Sequence, residues 1–115
     1  MRRVAVVMQA LAIYLSLPAW ADAASFNCNP YLARRACPET LICTEPNLSR
    51  LDDVMASLYQ EARRRMSPAL LTGFRDYQRE WLARRDACGC TYDCLNDEYR
   101  SQIEALRRTI NEMGR

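Results

Sequence analysis

Three cysteines, Cys88, Cys90 and Cys94, crowd the stretch RRDACGCTYDCLNDEY, and three more, Cys28, Cys37 and Cys43, precede them. Thiols so placed could ligate a metal, cycle as a redox pair or close disulfides. The chain holds no histidine, and neither cluster has the paired two-residue spacing of a zinc knuckle, which argues against a metal. Cys88-Gly89-Cys90 lacks the strand–helix–strand surroundings that would hold a reactive thiolate at a helix start. Structural bridges are the better reading, up to three of them in an oxidising compartment.

The N-terminus supplies a route to that compartment. Arg2 and Arg3 precede a nearly continuous apolar run from Val4 to Leu17, and Pro18 breaks it ahead of Ala19-Trp20-Ala21 and Ala21-Asp22-Ala23. This is the order of a secretory signal peptide with two overlapping small-x-small cleavage sites. The run is about 14 residues long, where a membrane-spanning helix needs about 20. Cys28 follows Phe26-Asn27 rather than the small residue that lipid attachment wants. The expected layout is a signal peptide over residues 1–23 and one domain over residues 24–115, periplasmic or secreted, with no transmembrane segment after cleavage.

The chain carries 16 basic and 14 acidic residues, a net charge of +2, and every basic residue is Arg. Removal of the signal lowers the net charge to about +1, which makes no case for nucleic acid or an anionic membrane as partner. A domain this small buries a limited share of its surface and commonly needs covalent staples. Six cysteines allow 15 pairings, which sequence does not decide, but geometry ranks them. Cys88 ends one expected helix and Cys94 begins the next, so Cys88–Cys94 clips a turn. Cys28–Cys43 ties down the N-terminal segment. Cys37–Cys90 remains, as a longer link from that segment to the turn.

The elements that must position these thiols are helices. Leu48, Leu51, Met55, Leu58, Tyr59 and Ala62 recur at intervals of three and four and line one helical face. Pro46 suits the first helical position, because it has no amide to leave unpaired, and Pro68 repeats the device. The second helix follows Leu70, Leu71, Phe74, Tyr77, Trp81 and Leu82, and Gly89 can take the left-handed conformation that closes it. Thr91 or Asp93 can cap the third, whose stripe is Leu95, Tyr99, Ile103, Leu106, Ile110 and Met113. The expected fold is all-α, a small antiparallel three-helix bundle stapled by disulfides. A short helix within residues 29–42, interrupted by Pro38, is pinned to it. Arg63-Arg64-Arg65 ends the first long helix, where positive charge favours the dipole.

Catalysis has little to stand on. Without His there is no Ser-His or Cys-His nucleophile pair. Asp52-Asp53 and Asp97-Glu98 are neighbours on helices, so their carboxylates point in different directions and do not flank one substrate. The reading is a non-enzyme without cofactor. One constellation is more than generic: Trp81 lies one turn from Arg85 and Asp86, just before Cys88. Arg85 could pair with Asp52 or Asp86, or stack on Trp81, and a large aromatic there reads as a core anchor.

The order of "FNC", "LIC" followed by "EPNLSRLDDVMASLY", then "QREWLARRDACG" and "DCLNDEYRSQIEAL" resembles the LprI-like lysozyme-inhibitor family of bacterial secreted proteins. The resemblance spans Phe26 to about Leu106 and includes Asp52, Trp81, Arg85, Asp86 and Tyr99, which carry over as structural features with the four-cysteine scaffold. Cys37 and Cys90 are additional to the family's usual four cysteines and are paired with each other on that ground. Gln102 stands where the family typically has Arg, and no lipid-attachment site is present, although the family's namesake is membrane-anchored.

The resemblance implies a protein partner, lysozyme, and protection of peptidoglycan. Loop tips are free to enter a cleft, which makes Tyr31, Arg34 and Arg35, and Tyr92 within Thr91–Asp93, the candidate contacts. A charge near +1 gains no steering toward basic lysozymes. The alternative is therefore a disulfide-clipped envelope adaptor without inhibitory activity. A lipid-binding helical protein is a third possibility and would need an internal apolar cavity.

Overall fold

The computed structural model describes residues 24–114, so the expected signal peptide over residues 1–23 lies outside the described residues. Five helices follow in order: α1 (Asn29–Arg34), α2 (Glu39–Thr44), α3 (Pro46–Arg65), α4 (Pro68–Ala87) and α5 (Tyr92–Met113). Among the described residues no helix is long and apolar enough to cross a membrane. The long helices make the bundle. Pro46 and Pro68 each stand in the first helical turn behind an extended residue, Glu45 or Ser67, so neither leaves an amide unpaired. Gly89 adopts φ 57° in the turn after α4, a conformation glycine takes at no steric cost. Thr91 occupies the cap position of α5 with extended backbone, but its side chain makes no capping bond and Asp93 lies inside the first turn.

The segment expected to hold one short helix forms two. Arg35 closes α1 at φ 51°, and Pro38 then precedes α2. The second helix is the anchored one. Ile42 and Cys43 are buried, and the buried Ser49 hydroxyl of α3 donates to the Ile42 carbonyl.

Cross-helix contacts fix the directions. Asn47 meets Asn96, and Asp52 meets Tyr99, so α3 and α5 run parallel. Tyr77 meets Gln102, and Trp81 reaches the Glu98 carbonyl, so α4 runs antiparallel to α5. The core holds Leu48, Met55, Trp81, Tyr99, Ile103 and Leu106. Trp81 sets its edge against Tyr99 with ring centroids 5.2 Å apart, and Phe74 stacks on Tyr59 at 5.0 Å. Such pairs add about 0.5–1.5 kcal/mol beyond area burial.

The apolar stripes place the core correctly except at the start of α4, where Leu70 is 61% exposed. Pro68, Ala69 and Leu70 all face solvent in the first turn of α4, and Leu71 is the half-buried residue there. Two of the three arginines closing α3 are engaged locally: Arg65 pairs with Glu61 at 2.8 Å, and the Arg63 guanidinium lies 5.7 Å from the Tyr59 ring centroid.

Three disulfides join Cys28 to Cys43, Cys37 to Cys90 and Cys88 to Cys94, with Cα separations of 5.9, 5.3 and 5.6 Å. All lie in the range that bridges favour. The first closes the N-terminal segment on α2, the last clips the α4–α5 turn, and Cys37–Cys90 ties one to the other.

Candidate functional site

The inner flank of α3, facing α4, is built on buried polar groups. Asp52 is fully withdrawn from solvent. Its two oxygens accept from the Tyr99 hydroxyl at 2.8 Å and from the backbone N–H of Ser25 at 2.7 Å. One carboxylate therefore fastens α3, α5 and the N-terminal segment together, which offsets the cost of burying it. Burial pushes the Tyr99 hydroxyl well above the usual phenol range, and neighbouring Asp52 pushes it further. Tyr99 thus remains a neutral donor.

Arg85 is buried to 8% exposure. Its Nε and Nη2 donate to Asp86 Oδ1 at 3.1 and 2.9 Å, with Glu39 Oε1 3.9 Å away and the Phe26 ring centroid 6.0 Å from the guanidinium. The Asp86 pairing is one of the expected alternatives. The other two do not form: the carboxylates within ion-pair distance of Arg85 are Asp86 and Glu39, and Trp81 is turned toward Tyr99 and the Glu98 carbonyl. Burial alone would lower the Arg85 pKa, but the attraction of its surroundings, Asp86 among them, outweighs burial and holds the value above normal.

A third polar group escaped the periodicity reading. The Tyr77 hydroxyl donates to Gln102 Oε1, and Gln102 Nε2 donates to Gln78 Oε1, both at 3.0 Å, with Gln78 Nε2 directed at Met55 Sδ at 3.2 Å. Gln78 and Gln102 interrupt their apolar stripes, and that interruption at core-facing positions was the available signal. Over these groups lies an open groove of about 540 Å³ between α3 and α4, walled by Phe26, Tyr31, Tyr59, Arg79 and Leu82.

The candidate contacts are not gathered into one patch. Tyr31 stands in the groove wall, edge-on to Phe26 at 5.4 Å. Arg34 and Arg35 are exposed at the end of α1, where Arg34 Nε donates to the Pro30 carbonyl at 3.3 Å. Tyr92 lies on the outer flank of α3, where α3 and α5 meet. Its hydroxyl accepts from Asn47 Nδ2 at 2.8 Å, the same amide donates to Asn96 Oδ1 at 3.0 Å, and Arg100 Nε donates to that oxygen at 3.2 Å.

A parallel α3–α5 pair, an antiparallel α4 and a disulfide-bound N-terminal segment make a rigid helical scaffold with polar, aromatic and arginine-bearing surfaces. The family model described as lysozyme inhibitor LprI matches residues 33–112, most of the chain, and the protein belongs to that family. No curated protein and no solved structure matches the chain.

Proposed function

We propose that this protein binds a lysozyme outside the cytoplasm, covers its glycan cleft and so protects peptidoglycan from hydrolysis. The family match over residues 33–112 carries the reading. Three disulfides fit an oxidising, extracytoplasmic compartment. They also support a steric mechanism, since a scaffold ordered before binding loses less conformational freedom when it docks. The protein acts as a binder and not as an enzyme.

Arg34, Arg35 and Tyr92 are the exposed members of the expected contact set, and Tyr31 contributes through the groove wall. Alanine at these four positions is expected to weaken lysozyme binding; unchanged binding would dispose of the loop contacts while leaving inhibition standing. The second reading, an envelope adaptor, is favoured by the near-neutral charge, which offers no long-range attraction to a basic lysozyme.

Titration of the oxidised protein, lacking residues 1–23, against several lysozymes separates the two. Lysis of a peptidoglycan suspension is followed, with a reduced and alkylated sample as control. Stoichiometric inhibition by the oxidised form supports the inhibitor; no inhibition at high molar excess favours the adaptor.

A further inference from the structure

The outer flank of α3 holds a concentration of charge that the near-neutral chain conceals. Arg50 of α3 and Arg100 and Arg107 of α5 border a shallow groove of about 310 Å³, floored by Leu51, Val54 and Ile103. All three arginines are exposed. Among the described residues none has a carboxylate within ion-pair distance: Glu104, the acid at this groove, pairs with Arg108 at 3.0 Å. Five other arginines do have carboxylate partners; Arg34, Arg35, Arg63, Arg64 and Arg75 also lack one among the described residues, so what sets this face apart is that three such guanidiniums border a single groove.

The arginines are also held on a firm support. The Asp52–Tyr99 hydrogen bond lies behind the face, and the Tyr92–Asn47–Asn96–Arg100 chain runs along it. Positions 92, 96, 100, 103 and 107 recur at helical spacing, so Tyr92 and the arginines form one strip about 22 Å long. Arg100 and Arg107 stand two turns apart, about 10 Å along the axis, with Arg50 across the groove from them.

We infer that this α3–α5 face is the surface that enters the lysozyme cleft, with Arg50, Arg100 and Arg107 engaging the cleft's carboxylates; the inference rests on the inhibitor reading. A lysozyme places two carboxylates about 5 Å apart across the scissile bond, and a guanidinium is the side chain that matches a carboxylate with two parallel hydrogen bonds. Attraction over such a short range needs no favourable net charge. The recessed apolar floor accepts a side chain from the cleft wall and helps to exclude water from the ion pairs. It does not suit a lipid surface, which is entered by protruding apolar side chains, whereas Ile103 is only 6% exposed.

Inhibition and equilibrium binding are measured for the oxidised wild type, R50E/R107E, the milder R50Q/R107Q, and R34A/R35A on α1. Each is tested against a lysozyme and against the same enzyme with its catalytic carboxylates changed to amides. Both outer-face variants are expected to melt with the wild type, because neither arginine is buried. R50E/R107E should weaken binding by about tenfold or more, R50Q/R107Q by less, and R34A/R35A by less still. The amide enzyme should bind wild type more weakly yet discriminate little between wild type and R50Q/R107Q, the coupling that a double-mutant cycle reads. Wild-type inhibition that survives R50E/R107E, or an absence of coupling, overturns this surface and leaves the inhibitor reading intact. No inhibition by wild type overturns both.

Discussion

On its inner flank α3 presents Asp52, Met55 and Tyr59 to α4 and the N-terminal segment; on its outer flank it presents Arg50, Leu51 and Val54 beside α5. The inner polar groups, Asp52, Gln78, Gln102 and Arg85, are buried and partnered within the chain. The outer ones are exposed arginines without a carboxylate. A buried polar group costs the fold heavily unless it is satisfied, so the inner set reads as construction. An exposed charge costs little when left alone, so the outer set is free to serve a partner. Substitutions inside should therefore change stability, and substitutions outside should change binding.

The largest effect on stability is expected from the bridge that spans the most chain. Cys37 and Cys90 are 53 residues apart, against 15 for Cys28–Cys43 and 6 for Cys88–Cys94. Loop-closure entropy gives about 4 kcal/mol for the first and about 2 for the last. Denaturant melts of C37A/C90A and C88A/C94A should fall in that order. C37A/C90A should keep most of its inhibitory activity below its melting point, because the loosened α1–α2 segment supplies only the weaker contacts of Tyr31, Arg34 and Arg35, and the α3–α5 face stays intact. Loss of all activity in a still-folded C37A/C90A would mean that the N-terminal segment carries the main contact with the partner, and the contrast between flanks would fail.

Within the inner flank, Asp52→Ala strands the Tyr99 hydroxyl and the Ser25 amide together, and should cost about 3 kcal/mol by urea unfolding. Gln102→Leu removes the central member of the Tyr77–Gln102–Gln78 chain and should cost about 1–2 kcal/mol. Arg50→Ala is the outer-flank counterpart, and its unfolding midpoint should stay within about 0.5 kcal/mol of wild type.

The helices were legible because their signals are local: prolines in the first turns of α3 and α4, a glycine at the α4–α5 turn, and apolar residues at intervals of three and four. The Cys88–Cys94 bridge followed from the helices that meet at its turn, whereas Cys37 and Cys90 were paired because they are additional to the four cysteines of the family the chain resembles. The break at Arg35 was hidden, because nothing in its side chain announces a left-handed backbone. Asp52 and Tyr99 carried the family resemblance, but 47 residues separate them, and the hydrogen bond that joins them depends on α3 and α5 running side by side. The arginine face was illegible for the same reason. Its members are spread over two helices, and the net charge averages them against acids elsewhere.

Asp53 gives the smallest effect and tests the comparison at its boundary, where the inner flank turns into solvent. Burial raises its pKa above the usual 3.8, and the adjacent Asp52 carboxylate raises it further. The folded protein thus holds the Asp53 proton more tightly than the unfolded chain does, and the ionised form works against folding. That penalty is absent below the carboxylate range, grows as pH rises through it, and is complete above the folded pKa. Asp53→Asn removes the charge and keeps the shape, so it should stabilise the protein at neutral pH and change little in acid. Asp53 is largely exposed, and solvent screens its charge, so the gain in melting temperature is small. Melting curves of both proteins across the acid range would show two lines that separate as pH rises. Parallel lines would mean that neither burial nor the adjacent Asp52 carboxylate perturbs Asp53, and that solvent alone sets its charge at this boundary.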